Sequence, residues 1–359
     1  MHSHSFFVLP SLLRVKLPPL ALIACAWLVG MPAQGATPSA ASIHTSSQDT
    51  INALNKAQSA VVGVQVVAAA GARSAQTLGA QRSGSGVVIG TDGLVLTIGY
   101  LILEADNIQI TTADRKTLPA RVVAYDLATG FGLIRPVVPL RGIAPVALGG
   151  TADIKTGESL MASTGASEGD DADVNMTQLV SKRAFSGYWE YHIDTALFTS
   201  PPMQNHSGAP LFNQKGELLG IGSLFVMDAM GQNVRLPGNM FVPVDLLKPI
   251  MAEMLQSGSS SLSKRPWLGL TSSEQGGRVQ IVRINADSPA QAAGLKVGDV
   301  VLAVDDAKVA TLETFYKKIW DRASPEGEIK LTVLQGAELK TITLRAVDRM
   351  STMMKPAGI

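Results

Sequence analysis

The sequence predicts a mainly β protein in which an antiparallel barrel or sandwich precedes a smaller α+β domain. Short β-branched runs recur from Ala60 onward, and Gly or Asp-Gly pairs separate several of them. A Ser/Gly stretch near residue 260 is followed by a segment in which strands alternate with helices. Only 5% of residues are aromatic while 34 are glycine, a balance that favours short strands over helix bundles.

The chain opens with no acidic residue before Asp49, and Arg14 and Lys16 precede an uncharged run from Leu17 to Met31 that closes on Ala33-Gln34-Gly35. Residues 1–35 therefore read as a secretory signal peptide, since Pro18 and Pro19 leave too short a helical stretch to span a bilayer. Leu22-Ile23-Ala24-Cys25 also has the form of a lipoprotein box, so tethering through the N-terminus is the alternative to a periplasmic or secreted product. Residues 36–54 read as a flexible Ala/Ser/Thr-rich leader.

Strands are expected at Val61–Val67, Gly86–Ile89, Leu94–Thr97, Ile108–Thr111 and Ala120–Ala124, with a hairpin at Asp92-Gly93. They continue through Gly216–Ile221, which makes residues 55–256 one β domain whose last element, Asp245–Gln256, has the pattern of an amphipathic helix. Ser257–Ser263 reads as a linker. Residues 264–347 form the second domain, with strands at Val279–Ile284, Val300–Val304, Ile329–Leu334 and Lys340–Leu344 and helices at Pro289–Ala293 and Leu312–Arg322; residues 348–359 are a tail.

Several function classes are excluded or disfavoured. With 30 Lys+Arg against 29 Asp+Glu there is no bulk charge to attract nucleic acid. Cys25 is the single cysteine and lies in the signal, leaving no thiol for a disulfide, a zinc cluster or a cysteine nucleophile. Gly84, Gly86 and Gly90 have the wrong spacing for a dinucleotide loop and sit on a strand. Asp171-Ala172-Asp173-Val174-Asn175 starts like a calcium loop, yet Met176 stands where the sharp turn needs glycine, so no metal or other cofactor is expected.

Five segments in order resemble one family, the periplasmic HtrA/Deg (DegP-like) serine proteases. They are Ser83–Ile89 with Asp92-Gly93, Ile102–Ile108, Ser207-Gly208-Ala209-Pro210-Leu211, Gly216–Ile221, and Ser288-Pro289-Ala290 with Ala293–Val301. The resemblance covers about residues 55–347 and implies a chymotrypsin/trypsin-like double β-barrel followed by a small α+β PDZ domain.

By that resemblance Ser207 holds the nucleophile's place, Tyr100 in Thr97-Ile98-Gly99-Tyr100 the place of the base histidine, and Gly130 in Asp126–Leu133 the place of the orienting aspartate. A phenol with a pKa near 10 cannot take the serine proton at neutral pH as an imidazole does. Asn205 and Ser207 fall on the oxyanion-hole positions, and because asparagine tolerates a left-handed backbone better than most residues, the expectation is a hole distorted without being abolished. His206 and His192 read as a loop and a strand histidine, and Asp126 as a turn residue, rather than as replacement bases.

The PDZ resemblance implies a groove in which the amides of Trp267-Leu268-Gly269-Leu270 hold a terminal carboxylate and the Leu312–Arg322 helix forms the other wall. The resulting expectation is a pseudoprotease that binds unfolded proteins or C-terminal peptides in envelope quality control. An active endopeptidase using Ser207 with a non-standard base is the alternative. Trimers, or mixed oligomers with active relatives, follow from the resemblance alone.

Overall fold

A computed structural model describes residues 40–167, 171–231, 234–322 and 324–354; the signal-peptide reading of residues 1–35 lies outside them. The first barrel closes through β1 (Val61–Ala68), β2 (Gln81–Val88), β3 (Val95–Ile98), β4 (Ala105–Thr111), β5 (Thr117–Tyr125) and β6 (Phe131–Pro136) in the order β1-β2-β3-β6-β5-β4. Alternate residues Val62, Val64 and Val66 of β1 point into its core. The Asp92-Gly93 pair turns β2 into β3 with Gly93 at φ 79°, the left-handed conformation such a turn requires.

A second barrel follows with β7 (Ser159–Ser163), β8 (Val174–Gly187), β9 (Tyr191–Ser200), β10 (Pro210–Phe212), β11 (Leu218–Val226) and β12 (Gly238–Pro243), ordered β10-β11-β12-β9-β8-β7. Its Ile193, Phe198, Phe212 and Ile221 share one continuous core with first-barrel residues such as Leu96 and Phe131. The C-terminal sheet comprises β13 (Pro266–Trp267), β14 (Leu270–Gln275), β15 (Arg278–Ile284), β16 (Val300–Val304), β17 (Ala307–Lys308), β18 (Gly327–Gln335) and β19 (Glu338–Asp348). It runs β13-β19-β18-β16-β15-β14 with β17 paired to β16, so β14 is its terminal strand. This is the mainly β, double-barrel-plus-PDZ arrangement the sequence implies.

Six short helices complete the described chain: α1 (Ala40–Ser59), α2 (Ala75–Leu78), α3 (Gly99–Ile102), α4 (Met251–Ser257), α5 (Pro289–Ala292) and α6 (Leu312–Trp320). In α6, Leu312, Phe315, Tyr316 and Ile319 are buried at helical spacing, and the Thr311 hydroxyl caps the first turn by accepting from Thr314 N at 3.1 Å.

Three expectations need correction. The leader is not irregular: α1 runs into it, with Ala57 buried against the barrel core. The helix expected over Asp245–Gln256 is broken into a 3₁₀ turn at Val244–Leu246 and α4, with Pro249, which has no amide hydrogen to donate, between them. The Ser-rich connection is held, not loose: Ser260 and Ser263 are buried and bonded to Asp126.

Candidate functional site

The two barrels bring Tyr100, on α3 after the first-barrel strand β3, to Ser207, on the loop before β10. The phenol oxygen lies 2.8 Å from Ser207 Oγ and 2.9 Å from the Ser223 carbonyl oxygen. One phenol proton serves these two acceptors; when it goes to the carbonyl, Ser207 can donate in turn to the phenol oxygen. Burial pushes the Tyr100 hydroxyl up to about 12 against the smaller opposing effect of the Ser207 hydrogen bond. At neutral pH roughly one phenol in 10⁵ is then ionised, so Ser207 faces a hydrogen-bonding partner and not a proton acceptor.

The nucleophile loop itself is well anchored. Ser85 N donates to the Ser207 carbonyl at 2.8 Å, Gly208 N to Gly222 O at 2.8 Å and Ala209 N to His206 O at 3.1 Å. A Cβ on Gly84 would collide with the Ser207 carbonyl, and Gly208 combines φ 74° with contact to the Ser85 carbonyl. These two positions admit only glycine, which explains Gly84 of β2 as packing against the nucleophile loop, whereas Gly86 of the same strand packs against Val95, Leu96 and Val64. The left-handed backbone beside the serine falls at Gly208, where the chain reverses, and not at Asn205. Asn205 and Ser207 border a cavity of about 140 Å³ together with Ser83, Ser85, Thr164 and Gln204, a lining of hydroxyls and amides to which Asp171 adds one carboxylate.

Gly130 adopts φ 82° and its carbonyl accepts from Gly99 N at 2.7 Å, next to Tyr100. A Cβ at Gly130 would lie in ordinary contact, 3.5 Å, with the Tyr191 ring, whose hydroxyl donates to Thr129 O at 2.7 Å. Asp126 lies in the same turn, fully buried, and accepts from the hydroxyls of Ser260, Ser263 (2.6 Å) and Thr129 (2.7 Å). Burial pushes its carboxyl up, but these donors outweigh it and hold the group below the usual carboxylate range.

Of the other titratable groups among the described residues, Asp171 borders the Ser207 cavity, whereas His206 and His192 are paired elsewhere. His206 Nδ1 pairs with the Gln204 carbonyl at 2.9 Å, and burial lowers its pKa. His192 bonds Ser186 Oγ at 2.9 Å and Asp194 at 3.2 Å on the side facing α6. The His192–Asp194–Glu313 cluster already contains a cation, since Lys317 Nζ sits 2.7 Å from Asp194 and 2.8 Å from Glu313. Asp171 pairs with Arg115, and the Asp173 amide donates to Thr164 Oγ1 at 2.9 Å. Among the described residues no imidazole or carboxylate hydrogen-bonds Ser207 Oγ.

The second site is the groove between β14 and α6. Gly269, at φ 82°, turns the Trp267-Leu268-Gly269-Leu270 loop so that consecutive amides converge. Glu190, from the turn between β8 and β9, fills the point of convergence. Its Oε1 accepts from Gly269 N at 3.0 Å and Leu270 N at 2.9 Å, and its Oε2 from Leu268 N at 3.3 Å. Sequence reasoning found the loop but missed Glu190, Tyr191 and the Ser223 carbonyl. The one local signal was a glutamate ending a three-residue turn, a position that ordinarily holds glycine.

This geometry can be set beside known proteins. Residues 84–221 match the trypsin-like peptidase domain, and residues 266–345 match the PDZ domain. A probable periplasmic DegP-like serine endoprotease of Halomonas elongata is 28% identical over 281 residues, 74% of this chain and 56% of that protein. The chain is a relative of the HtrA/DegP-like serine endoproteases. A Pseudomonas fulva homologue described in the same words is 31% identical over 244 residues, covering 63% of this HtrA relative and 48% of the homologue. The chain thus spans about half the length of the curated relatives it matches. The HtrA-type protease AlgW with tripeptide superposes with a TM-score of 0.51 at 20% identity, over 86% of this HtrA relative and 99% of that chain. A serine endoprotease from Yersinia pestis gives 0.50 at 20% identity, over 83% and 97%; likenesses at this identity establish the fold.

Proposed function

We propose that this HtrA relative is an exported pseudoprotease that binds unfolded or C-terminal peptide segments and does not hydrolyse them. The observation that carries the reading is the phenol on Ser207 Oγ, with glycine where a base would need an orienting carboxylate. Peptide-bond hydrolysis needs the serine proton removed as the Oγ–C bond forms and returned to the leaving amine. Tyr100, with a hydroxyl pKa of about 12, performs neither transfer at neutral pH. Loss of the base and its orienter together is coherent, because the two act as a unit and without the first the second has no role. Binding is assigned to the C-terminal groove by its converging amides and its terminal strand β14; that HtrA-type proteases of similar fold are solved with a tripeptide and with a decapeptide supports peptide binding as such.

The test incubates the purified chain and Ser207→Ala with a fluorophosphonate probe and with an unfolded protein substrate. Neither labelling nor cleavage above background is expected from either protein, and Tyr100→His alone stays inactive because Gly130 leaves the new imidazole unoriented. Cleavage that disappears in Ser207→Ala would overturn the assignment and make this an endopeptidase with an unusual base.

A further inference from the structure

The groove of the C-terminal domain is occupied from within. Gly187 and Tyr191 pair at the end of the β8–β9 hairpin, leaving Tyr188, Trp189 and Glu190 as its loop. In such three-residue loops the third position is left-handed and belongs to glycine, yet here it is Glu190 at φ 57°. A side chain in that conformation is strained, so the loop departs from its best local sequence where a carboxylate is delivered to another domain. Glu190 is 6% exposed, and burial pushes its pKa up against Arg349 and the loop amides. The buried carboxylate is therefore not held by solvation but by the three amides that receive it.

The rest of the hairpin tip follows the path of an added strand. Ser272 N, on terminal strand β14, donates to the Tyr188 carbonyl at 2.9 Å, two residues before the carboxylate. From the opposite wall the Tyr316 hydroxyl of α6 donates to the Gly187 carbonyl at 2.8 Å, and Arg349 Nη1 donates to the Trp189 carbonyl at 3.1 Å. A carboxylate on the loop amides with a backbone carbonyl on the sheet edge behind it is the pattern by which an extended chain terminus is recognised.

We propose that Glu190 is an internal ligand of the peptide groove. Its side-chain carboxylate stands in for a chain-terminal carboxylate, and an incoming C-terminus binds only by displacing the Gly187–Glu190 tip. The proposal rests on the peptide-binding reading above and adds how that site is controlled. The partner class is a protein or peptide with a free α-carboxylate and an extended C-terminal segment. Its apparent affinity is reduced by the fraction of molecules in which the tip has left the groove.

The test uses the full chain, a short fluorescent peptide ending in Ala-Val-Leu with a free carboxylate, and its amidated twin. Glu190→Gly removes the carboxylate while giving the turn its preferred residue, so this variant should fold; Glu190→Gln keeps the shape and removes the charge. Hydrogen exchange at Leu268, Gly269 and Leu270 reads the closure independently of any peptide. Expected results are faster exchange at those amides in Glu190→Gly, slowed again by peptide, and binding of the free-carboxylate peptide about tenfold or more tighter than to the wild type. Glu190→Gln falls between, and amidation weakens binding to every form. Equal exchange and equal affinity in wild type and Glu190→Gly would overturn the proposal. Faster exchange with no peptide bound by any form would overturn the peptide-binding reading while leaving the internal closure standing.

Discussion

The cleft between the barrels and the groove beside α6 have been altered in opposite ways. In the cleft the frame survives: the Ser85, Gly208 and Ala209 amides hold the nucleophile loop, and Ser207 is in place. What differs is the chemistry, since a phenol stands on the serine and a glycine behind it. In the groove the chemistry survives as three converging amides, and what differs is access, since Glu190 sits on them. On the function proposed above, chemistry lost with its residues is not restored by rearrangement, whereas an occupied site can be vacated. If the cleft is inactive as proposed, single substitutions will not confer activity on it but can expose the groove.

The strongest way to break the comparison is through the residue that links the two regions. Asp126 holds both the turn leading to Gly130 and the Ser260–Ser263 connection to the groove domain. Asp126→Ala leaves its buried donors without an acceptor and should lower the unfolding free energy by on the order of 3 kcal/mol, measured by denaturant titration. The sign of its pH dependence follows from a folded pKa held below the unfolded value near 3.9. Stability from Asp126 is present above that value and lost as pH falls through the lower folded one, so the gap between wild type and Asp126→Ala should narrow below about pH 4.

Gly208→Ala attacks the cleft's frame alone. The substitution meets both φ 74° and the Ser85 carbonyl, and should cost about 2 kcal/mol, read as a lower Tm. An unchanged Tm would show that the nucleophile loop is not the rigid feature described here. The smallest expected effect sharpens the groove side: Tyr316→Phe removes one hydrogen bond to the hairpin tip, worth about 1 kcal/mol, and should tighten C-terminal peptide binding by a few-fold. Peptide affinity unchanged by Tyr316→Phe would place the hold on the tip with Glu190 and Arg349.

Much of this architecture was legible in the sequence. Strand runs such as Val61–Val67 and Val300–Val304, the Asp92-Gly93 turn and the Leu312–Trp320 helix all carry periodicity or turn chemistry that acts over a few residues. The candidate residues were legible as well, because Tyr100, Gly130, Ser207 and Trp267–Leu270 each sit within a recognisable local pattern. Local pattern misled where long-range contacts dominate. Ser257–Ser263 has the composition of a loose linker, yet buried Asp126, distant in sequence, fixes it.

The sequence by itself determined the double-barrel and PDZ architecture, the place of the serine, and the types of side chain available to serve it, since these depend on residue identity and short-range order. Tertiary structure alone decided that the Tyr100 hydroxyl reaches Ser207 Oγ, that the Tyr191 ring lies against Gly130, and that Glu190 enters the Leu268–Leu270 amides. Each is a meeting of groups from separate elements, and in the last case from separate domains. Such meetings depend on how the barrels close and the groove domain docks, which no window of neighbouring residues encodes.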